Sequence, residues 1–579
     1  MPIPILTKLA SPHHPADVIG EIHPNELRGL KVLFVNMPLR ESALPNNTPE
    51  GPLILAAILR ELGAEVTIMD LNAYRIQDED ATRRGLSNGR HKTLKEAEEL
   101  LLAHLGKYGD QDLIALSGMI TTLHWQEDMA RMIRKWQPSA FLVSGGGLAT
   151  EIKLGLFEWI PELDAIGDSE GDDIIITIAR DVKTMKDLGR ERAIRSGRIS
   201  PYYLDGLGKF NYIGNRPRNL DLLPYPTYEL LSSDVFGENI LERYIQAAIW
   251  GIGANNSSAA PFTMTRSLNK VSSRGCPHAC AFCYRGAQGE RKWGMHSADY
   301  IARLLRRLID TYEIDFLGIV DDNFAISKER CAELPSAFKA HGVNCRWGTH
   351  LRLDEADARL EPMAEAGCIY IGFGAESASA TVLERMKKGG FILRPRGAKE
   401  NQLVEVPING HLWGFARTMK EGYENCIRLG IHGNCTWIAG YPGETKYDLQ
   451  TSVAFILWQR DLVTRGLTPG SEQHTNMAQS VNEKMFTATA YPGTSMFKEE
   501  GVQRLLKLNF GIRFERQGLE WHPVCDEAFH RYVLELDDAT KVLEGNSGEP
   551  LYFGEMPVDE FLQARGHIDS GHIERILDM

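Results

Sequence analysis

Residues 274–284 read RGCPHACAFCY, and within them Cys276, Cys280 and Cys283 stand at C-x3-C-x2-C spacing. Three thiolates this close wrap one face of a soft metal centre, and zinc and iron–sulfur clusters both accept such ligands. Structural zinc asks for four protein ligands. His278 is the neighbouring candidate for a fourth, but it lies inside the x3 segment and would have to bend back onto the same ion; no second cysteine pair stands nearby. Three thiolates with the fourth missing describe a [4Fe-4S] cluster with one open iron. A buried set of free cysteines and an incomplete zinc knuckle are the structural alternatives.

On either side of this loop, strand and helix patterns alternate. Asn269–Ser273 reads as a strand leading into it, and Ala298–Thr311 as an amphipathic helix after it. Further strands are expected at Ile314–Val320, Cys345–Leu351, Tyr370–Gly374, Asn434–Gly440 and Thr487–Tyr491. Six such units imply a partial, open (β/α)6 barrel, and polar residues follow the strand ends, where barrels place their sites. Residues 388–418 break the alternation with a Gly-, Pro- and Arg-containing stretch carrying HLWGFAR. Long insertions at a barrel mouth shape substrate pockets, which makes His411, Trp413 and Arg417 candidates there.

Upstream the alternation runs in a second series. Strands are expected at Lys31–Asn36, Glu65–Asp70, Leu113–Ser117, Ala140–Ser144 and Asp164–Gly167, with helices over Pro52–Leu62 and Thr122–Trp136. The order implies an α/β domain, a doubly wound parallel sheet of flavodoxin type with helices on both faces. Ligands bind such sheets at the carboxyl ends of the strands. The Asn36-Met37-Pro38 loop, Ser117-Gly118 and Gly145-Gly146-Gly147 all fall there. Glycines let backbone approach a large ligand; plain tight turns would look the same.

The cysteine spacing with Phe282 as its aromatic, C-x3-C-x-aromatic-C, resembles the radical S-adenosylmethionine (SAM) superfamily. The upstream loops resemble the cobalamin-binding domain of one large subgroup. The resemblance spans residues 31–500. It implies three cofactors: a [4Fe-4S] cluster on Cys276, Cys280 and Cys283, SAM on the open iron, and cobalamin at the upstream sheet. It implies SAM contacts from Phe282, Asp321, Asp322, Arg352, Glu376, Ser377, Ala439 and Gly440. For these, helix capping by an aspartate, pairing of Arg352 with Asp354, a structural ion pair at Glu376 and a tight turn at Gly440 are the competing readings. It implies cobalamin contacts from Asn36, Pro38, Gly51, Ser117, Gly118, Gly145, Gly146 and Gly147. The loop 36–51 carries no histidine, so cobalt, if bound, has no imidazole from it.

A chain of 579 residues is too long for one ordinary core. The expected domains are an N-terminal arm over 1–30, the cobalamin-binding domain over 31–180, a connector over 181–262, the radical SAM barrel over 263–500 and a C-terminal cap over 501–579. A net charge of -13 argues against a general nucleic-acid binder. No apolar run is long enough for a membrane span and no signal peptide is visible, and nine scattered or clustered cysteines make no disulfide framework, so a cytoplasmic location is expected. The resemblance implies a methyltransferase acting on an unactivated carbon or phosphorus centre. Its substrate would be a small molecule or biosynthetic intermediate, and its electron donor a flavodoxin or ferredoxin. Rearrangement or oxidative cyclisation without methyl transfer is the enzymatic alternative; a non-catalytic cobalamin- or redox-responsive binding protein is the other.

Overall fold

The computed structural model describes residues 23–39, 41, 44–245, 264–284, 293–536 and 541–579. They form two compact units: residues 23–244 with 524–536, and residue 245 with 264–284, 293–523 and 541–579. Most of the expected N-terminal arm (1–22) and the end of the expected connector (246–262) lie outside the described residues.

Unit one is built on β1 (Lys31–Asn36), β2 (Glu65–Asp70), β3 (Leu113–Ser117), β4 (Phe141–Gly145), β5 (Ala165–Asp168), β6 (Tyr203–Leu204) and β7 (Lys209–Ile213). Their order is β2-β1-β3-β4-β5-β7-β6, parallel except for the β6–β7 pair. This is the doubly wound sheet expected. β1, KVLFVN, is buried along nearly its whole length because helices cover both faces. The helix Leu94–Tyr108 starts on a capping box between Thr93 and Glu96, which satisfies two otherwise unpaired amides.

Two expectations at the borders of this unit need correction. Residues 23–30 are no surface arm, since Leu27 and Leu30 are part of the core. The stretch from 181, read as a connector, completes the helix Ile174–Leu188 and supplies β6 and β7. In β7, KFNYI, only Phe210 and Tyr212 turn inward, and the Tyr212 hydroxyl donates to Asp181 Oδ2 at 2.9 Å. Two inward residues in so short a strand leave little periodicity to read.

Unit two carries β8 (Ser267–Lys270), β9 (Ser273–Arg274), β10 (Gly294–Met295), β11 (Phe316–Ile319), β12 (Arg346–Arg352), β13 (Cys368–Glu376), β14 (Leu403–Ile408), β15 (His411–Ala416), β16 (His432–Ala439) and β17 (Met485–Thr487). A six-stranded sheet runs β17-β16-β13-β12-β11-β8, with every neighbouring pair parallel. It is the partial barrel expected. The helix Ala298–Tyr312 begins on Ser297, whose side chain accepts from the Tyr300 amide.

The stretch 388–418 is more ordered than its composition suggested. It contains the antiparallel hairpin β14–β15, joined by Asn409-Gly410 with φ of +50° and +78°. Two positive φ values at Asn-Gly make the two-residue turn that matches strand twist. The expected single C-terminal cap is divided. A hairpin of β18 (Phe514–Gln517) and β19 (Glu520–Pro523) ends in unit two. The next segment, with the helix Glu527–Leu534, packs in unit one, where His530 Nε2 lies 2.5 Å from Glu127 Oε1. Residues 541–579 return to unit two.

Candidate functional site

In unit two the cysteine loop follows β9 and is anchored at its centre. The Ala281 amide donates to the Met386 carbonyl at 2.8 Å, and the Ala281 carbonyl accepts from the Met496 amide at 2.7 Å. Cys280 is buried and Cys276 and Cys283 are half-buried, all three as free thiols. Burial pushes the Cys276 thiol up to about 11 and the Cys283 thiol up to about 12, and the Asp322 carboxylate adds to both rises. Among the described residues no group of three or more His, Cys, Asp or Glu is arranged to hold a single metal ion. A four-iron cluster asks for a wider set, because each thiolate takes a different iron. His278, the alternative fourth zinc ligand, sits 3.2 Å from Glu355 Oε1 instead.

The residues expected around this loop separate into bracing and facing groups. Asp321 braces. Its Oδ1 accepts the amides of Ser272 (2.5 Å) and Ser273 (2.9 Å), its Oδ2 accepts the Ser272 hydroxyl (2.7 Å), and the buried Arg330 lies 3.5 Å from Oδ2. With both oxygens spent, it holds the strand that enters the cysteine loop. Asp322, its exposed neighbour, is the one whose charge reaches the thiols. Arg352 pairs with Asp354 at 3.0 Å and also points Nη1 at Cys280 Sγ, 3.7 Å away. Ser377 is buried and turned away, with its hydroxyl 3.2 Å from that of Ser452.

A cavity of about 260 Å³ opens beside the loop, lined by Phe282, Glu376, Thr436, Ile438, Tyr441, Phe486, Thr487 and others as far as Met496. Phe282 meets Tyr441 edge to face at 6.5 Å. Glu376 stands at the wall with Lys388 Nζ 3.0 Å from its Oε1. Ala439 and Gly440 do not line this space. In β16 the residues facing it are Thr436 and Ile438, and side-chain alternation turns Ala439 to the other side. Gly440, at φ +80°, has the rings of Phe561 and Tyr552 pressed where a Cβ would sit, at 3.1–3.3 Å, so its missing side chain serves packing by the C-terminal segment. Its amide donates to Glu444 Oε2 at 2.6 Å. The substrate-pocket candidates stay outside the cavity lining: His411 and Arg417 are exposed, and Trp413 stacks on Tyr447 at 5.5 Å.

At the carboxyl edge of the sheet in unit one, strand register sets Asn36 beside Ser117 and Ser117 beside Gly145. The row crosses the point between β1 and β3 where the strand order reverses, where ligands of doubly wound sheets bind. Asn36 is committed inward. Its Nδ2 donates to Asp70 Oδ1 at 2.8 Å, and the Tyr244 hydroxyl donates to Asp70 Oδ2 at 2.6 Å. Burial pushes the Asp70 carboxyl up from its usual range. Pro38 is buried beside them and Ser117 is half-buried.

The glycines of this edge fall into two kinds. Gly118 and Gly146 are demanded by the protein itself: Cβ atoms there would meet Thr122 Oγ1 in the first case and the Gly118 carbonyl oxygen, at 2.7 Å, in the second. Gly146 also has φ +88°. Gly145 and Gly51 face open space, with nothing within 4 Å of a Cβ, and Gly147 has only the Met119 backbone, 3.7 Å away. Of these only Gly145 lies in a strand, and its open position at the end of β4 fits a flat ligand that needs backbone within reach; Gly51 and Gly147 lie in the first turns of the helices Glu50–Glu61 and Gly147–Ile152.

Sequence reasoning missed Lys388, Tyr441 and the threonine wall from β16 and β17. Lys388 sits in an ordinary-looking ERMKKGG, and only the turn of the chain after β13 brings it to Glu376. The threonines fell inside strands already expected, where alternation pointing them inward was the available signal; Tyr441 stands one residue past the expected strand Asn434–Gly440.

Residues 271–456 match the radical SAM superfamily. The chain is 24% identical over 489 residues to an uncharacterized methyltransferase, PH0819, of Pyrococcus horikoshii, covering 83% of this chain and 85% of that one. It is 25% identical over 472 residues to the cytidylyl-2-hydroxyethylphosphonate methyltransferase of Streptomyces wedmorensis, covering 74% and 77%. Among solved structures it shares a fold with the radical S-adenosylmethionine methyltransferase TsrM of Kitasatospora setae, solved with tryptophan and a SAM analogue. The TM-score is 0.54 at 14% identity, over 94% of this chain and 88% of that one. A second TsrM structure holds cobalamin and a [4Fe-4S] cluster, and matches with a TM-score of 0.53 at 14% identity, over the same shares.

Proposed function

We propose that this chain, whose residues 271–456 are a radical SAM domain, is a cobalamin-dependent radical SAM methyltransferase acting on an unactivated carbon or phosphorus centre of a small molecule. The observation that carries the reading is the three-thiol loop with a cavity directly beside it, walled by Phe282 from the loop and by Glu376. Relatives named as methyltransferases support the reaction type. Cys276, Cys280 and Cys283 would hold the cluster, the cavity would hold SAM, and the edge of unit one around Ser117 and Gly145 would hold cobalamin. Bound there, these groups supply a 5′-deoxyadenosyl radical and a transferable methyl group.

The chain's own part is binding, orientation and exclusion of water. Glu376 offers a carboxylate to an ammonium group in the cavity, and a charge-assisted contact of that kind is worth roughly 1.5–3 kcal/mol. Arg352 sets positive charge against Cys280. Asp321 keeps the entering strand in place through the Ser272 and Ser273 amides. Ile438, Phe486, Ala488 and Met496 make much of the cavity wall apolar, which keeps water from a reactive intermediate. Among the described residues no helix is long and apolar enough to cross a membrane. We place the enzyme in the cytoplasm, with a small reducing protein such as a flavodoxin or ferredoxin as electron donor.

The test is anaerobic turnover with SAM, a chemical reductant and candidate acceptors. 5′-Deoxyadenosine and S-adenosylhomocysteine should form in near-equal amounts with methylated product. Deoxyadenosine that rises with turnover while S-adenosylhomocysteine stays flat would replace this reading by rearrangement or cyclisation.

A further inference from the structure

Lys388 is a buried charge next to the cysteine loop. Its side chain is 5% exposed and its Nζ lies 3.0 Å from Glu376 Oε1. The same ammonium lies 5.7 Å from the centroid of the Phe282 ring, in the residue before Cys283. Its carbonyl accepts from Arg352 Nη2 at 3.2 Å, and the other arm of that guanidinium points at Cys280. Two cations thus stand by the thiols, each with a carboxylate partner. The partners differ: Asp354 is buried with its arginine, whereas Glu376 lines the cavity.

The backbone around Glu376 is shaped to make this pair. Glu376 has φ +65°, and the register between β13 and β16 breaks between Gly374 and Glu376. A non-glycine residue in that conformation costs of order 1–3 kcal/mol and persists only where its surroundings hold it. Gly374 supplies the room. A Cβ there would lie 2.5 Å from Glu376 Oε1 and 3.1 Å from Lys388 Nζ. The carboxylate folds back over a residue without a side chain, and Lys388 closes on it from outside. Lys388 takes Oε1, which leaves Oε2 for a ligand.

We propose that Lys388 is a positioning residue that acts through Glu376, aiming its carboxylate at the ammonium group of SAM while setting a positive charge beside the cluster thiolates. This rests on the reading of the cavity as the SAM site. Two consequences follow. SAM affinity should depend on Lys388 only while Glu376 is a carboxylate. The cluster should be easier to reduce with Lys388 than without it, because a nearby cation favours the more negative state.

The experiment uses full-length protein reconstituted anaerobically, with iron content, SAM binding by equilibrium dialysis and a redox titration followed by electron paramagnetic resonance. A wild-type protein that holds no cluster and binds no SAM overturns the site reading and this proposal together. With wild type intact, Lys388→Met should keep its iron, bind SAM about tenfold more weakly and show a more negative midpoint potential. Lys388→Arg should return the potential towards wild type. The double variant Glu376→Gln with Lys388→Met should bind SAM no more weakly than Glu376→Gln alone. Losses that multiply in the double variant, or a potential that does not move in Lys388→Met, overturn the proposal. Should Lys388→Met fail to assemble, Gly374→Ala displaces the pair with both charges kept. It should lower SAM affinity about tenfold, and unchanged affinity overturns the proposal equally.

Discussion

The two units present different chemistry at the carboxyl edges of their parallel sheets. In unit one Asn36 is turned inward, and it and Tyr244 both donate to Asp70. What the edge offers outward is backbone and the open position of Gly145. In unit two the edge offers charge. Thiols, Arg352, Glu376 and Lys388 crowd one loop and one cavity. A site of the first kind recognises by shape and should tolerate charge changes but not bulk. A site of the second kind should tolerate bulk at its margins but not the loss of a single charge.

The largest break in this comparison should come from changing Cys276, Cys280 and Cys283 together to Ala. Reconstituted wild type should hold about four irons per chain and the triple variant none, by colorimetric iron assay, while cobalamin binding by unit one is retained. Loss of both together would show that the units do not bind independently.

Asp321→Ala should come next. It leaves Arg330 buried without its carboxylate and frees two amides. Removing one partner of a buried pair costs about 3–5 kcal/mol. Chemical denaturation should show that loss in unit two, and iron should be bound less completely. Glu376→Gln should have a narrower effect, weakening SAM binding by roughly 1.5–3 kcal/mol with iron content unchanged.

Unit one is tested by adjacent glycines. A Cβ at Gly145 meets nothing within 4 Å, so Gly145→Val should weaken cobalamin binding with little change in thermal stability. Gly146→Val should destabilise the unit itself, by about 1–3 kcal/mol, because of its φ of +88° and the nearby Gly118 carbonyl. Equal effects on binding and stability at both positions would remove the distinction between slot glycine and packing glycine.

The smallest effect concerns pH. Glu444 is fully buried, and burial pushes its carboxyl up to about 8 despite the Gly440 amide. A raised acid keeps its proton in the folded state while the unfolded chain releases it, so stability falls as pH rises from about 4.5 towards 8. Glu444→Gln keeps the acceptor without the proton equilibrium and should flatten that slope in urea titrations at pH 5 and pH 8. An unchanged slope would place the pH dependence on other buried acids such as Asp70.

Much of this molecule was legible before folding. Long runs such as KVLFVN and the amphipathic ADYIARLLRRLIDT carry unambiguous periods, and each formed the expected element within two residues. β7 and the hairpin β14–β15 were missed for opposite reasons. β7 is too short to show a period, whereas the Asn409-Gly410 turn was a clear signal outweighed by the Gly, Pro and Arg around it.

The amino-acid sequence by itself determined the thiol set, the two alternating series of strands and helices, and hence the doubly wound sheet and the partial barrel. These follow from local spacing, which survives in a linear chain. Only the tertiary structure decided which expected residues line the cavity or lie open at a sheet edge. It spent Asp321 on the Ser272 and Ser273 amides, turned Ser377 and Asn36 inward, gave the space at Gly440 to Phe561 and Tyr552, and brought Lys388 to Glu376. Those outcomes depend on strand register, on a bulge between Gly374 and Glu376 and on contacts far apart in the chain, none of which a local pattern contains.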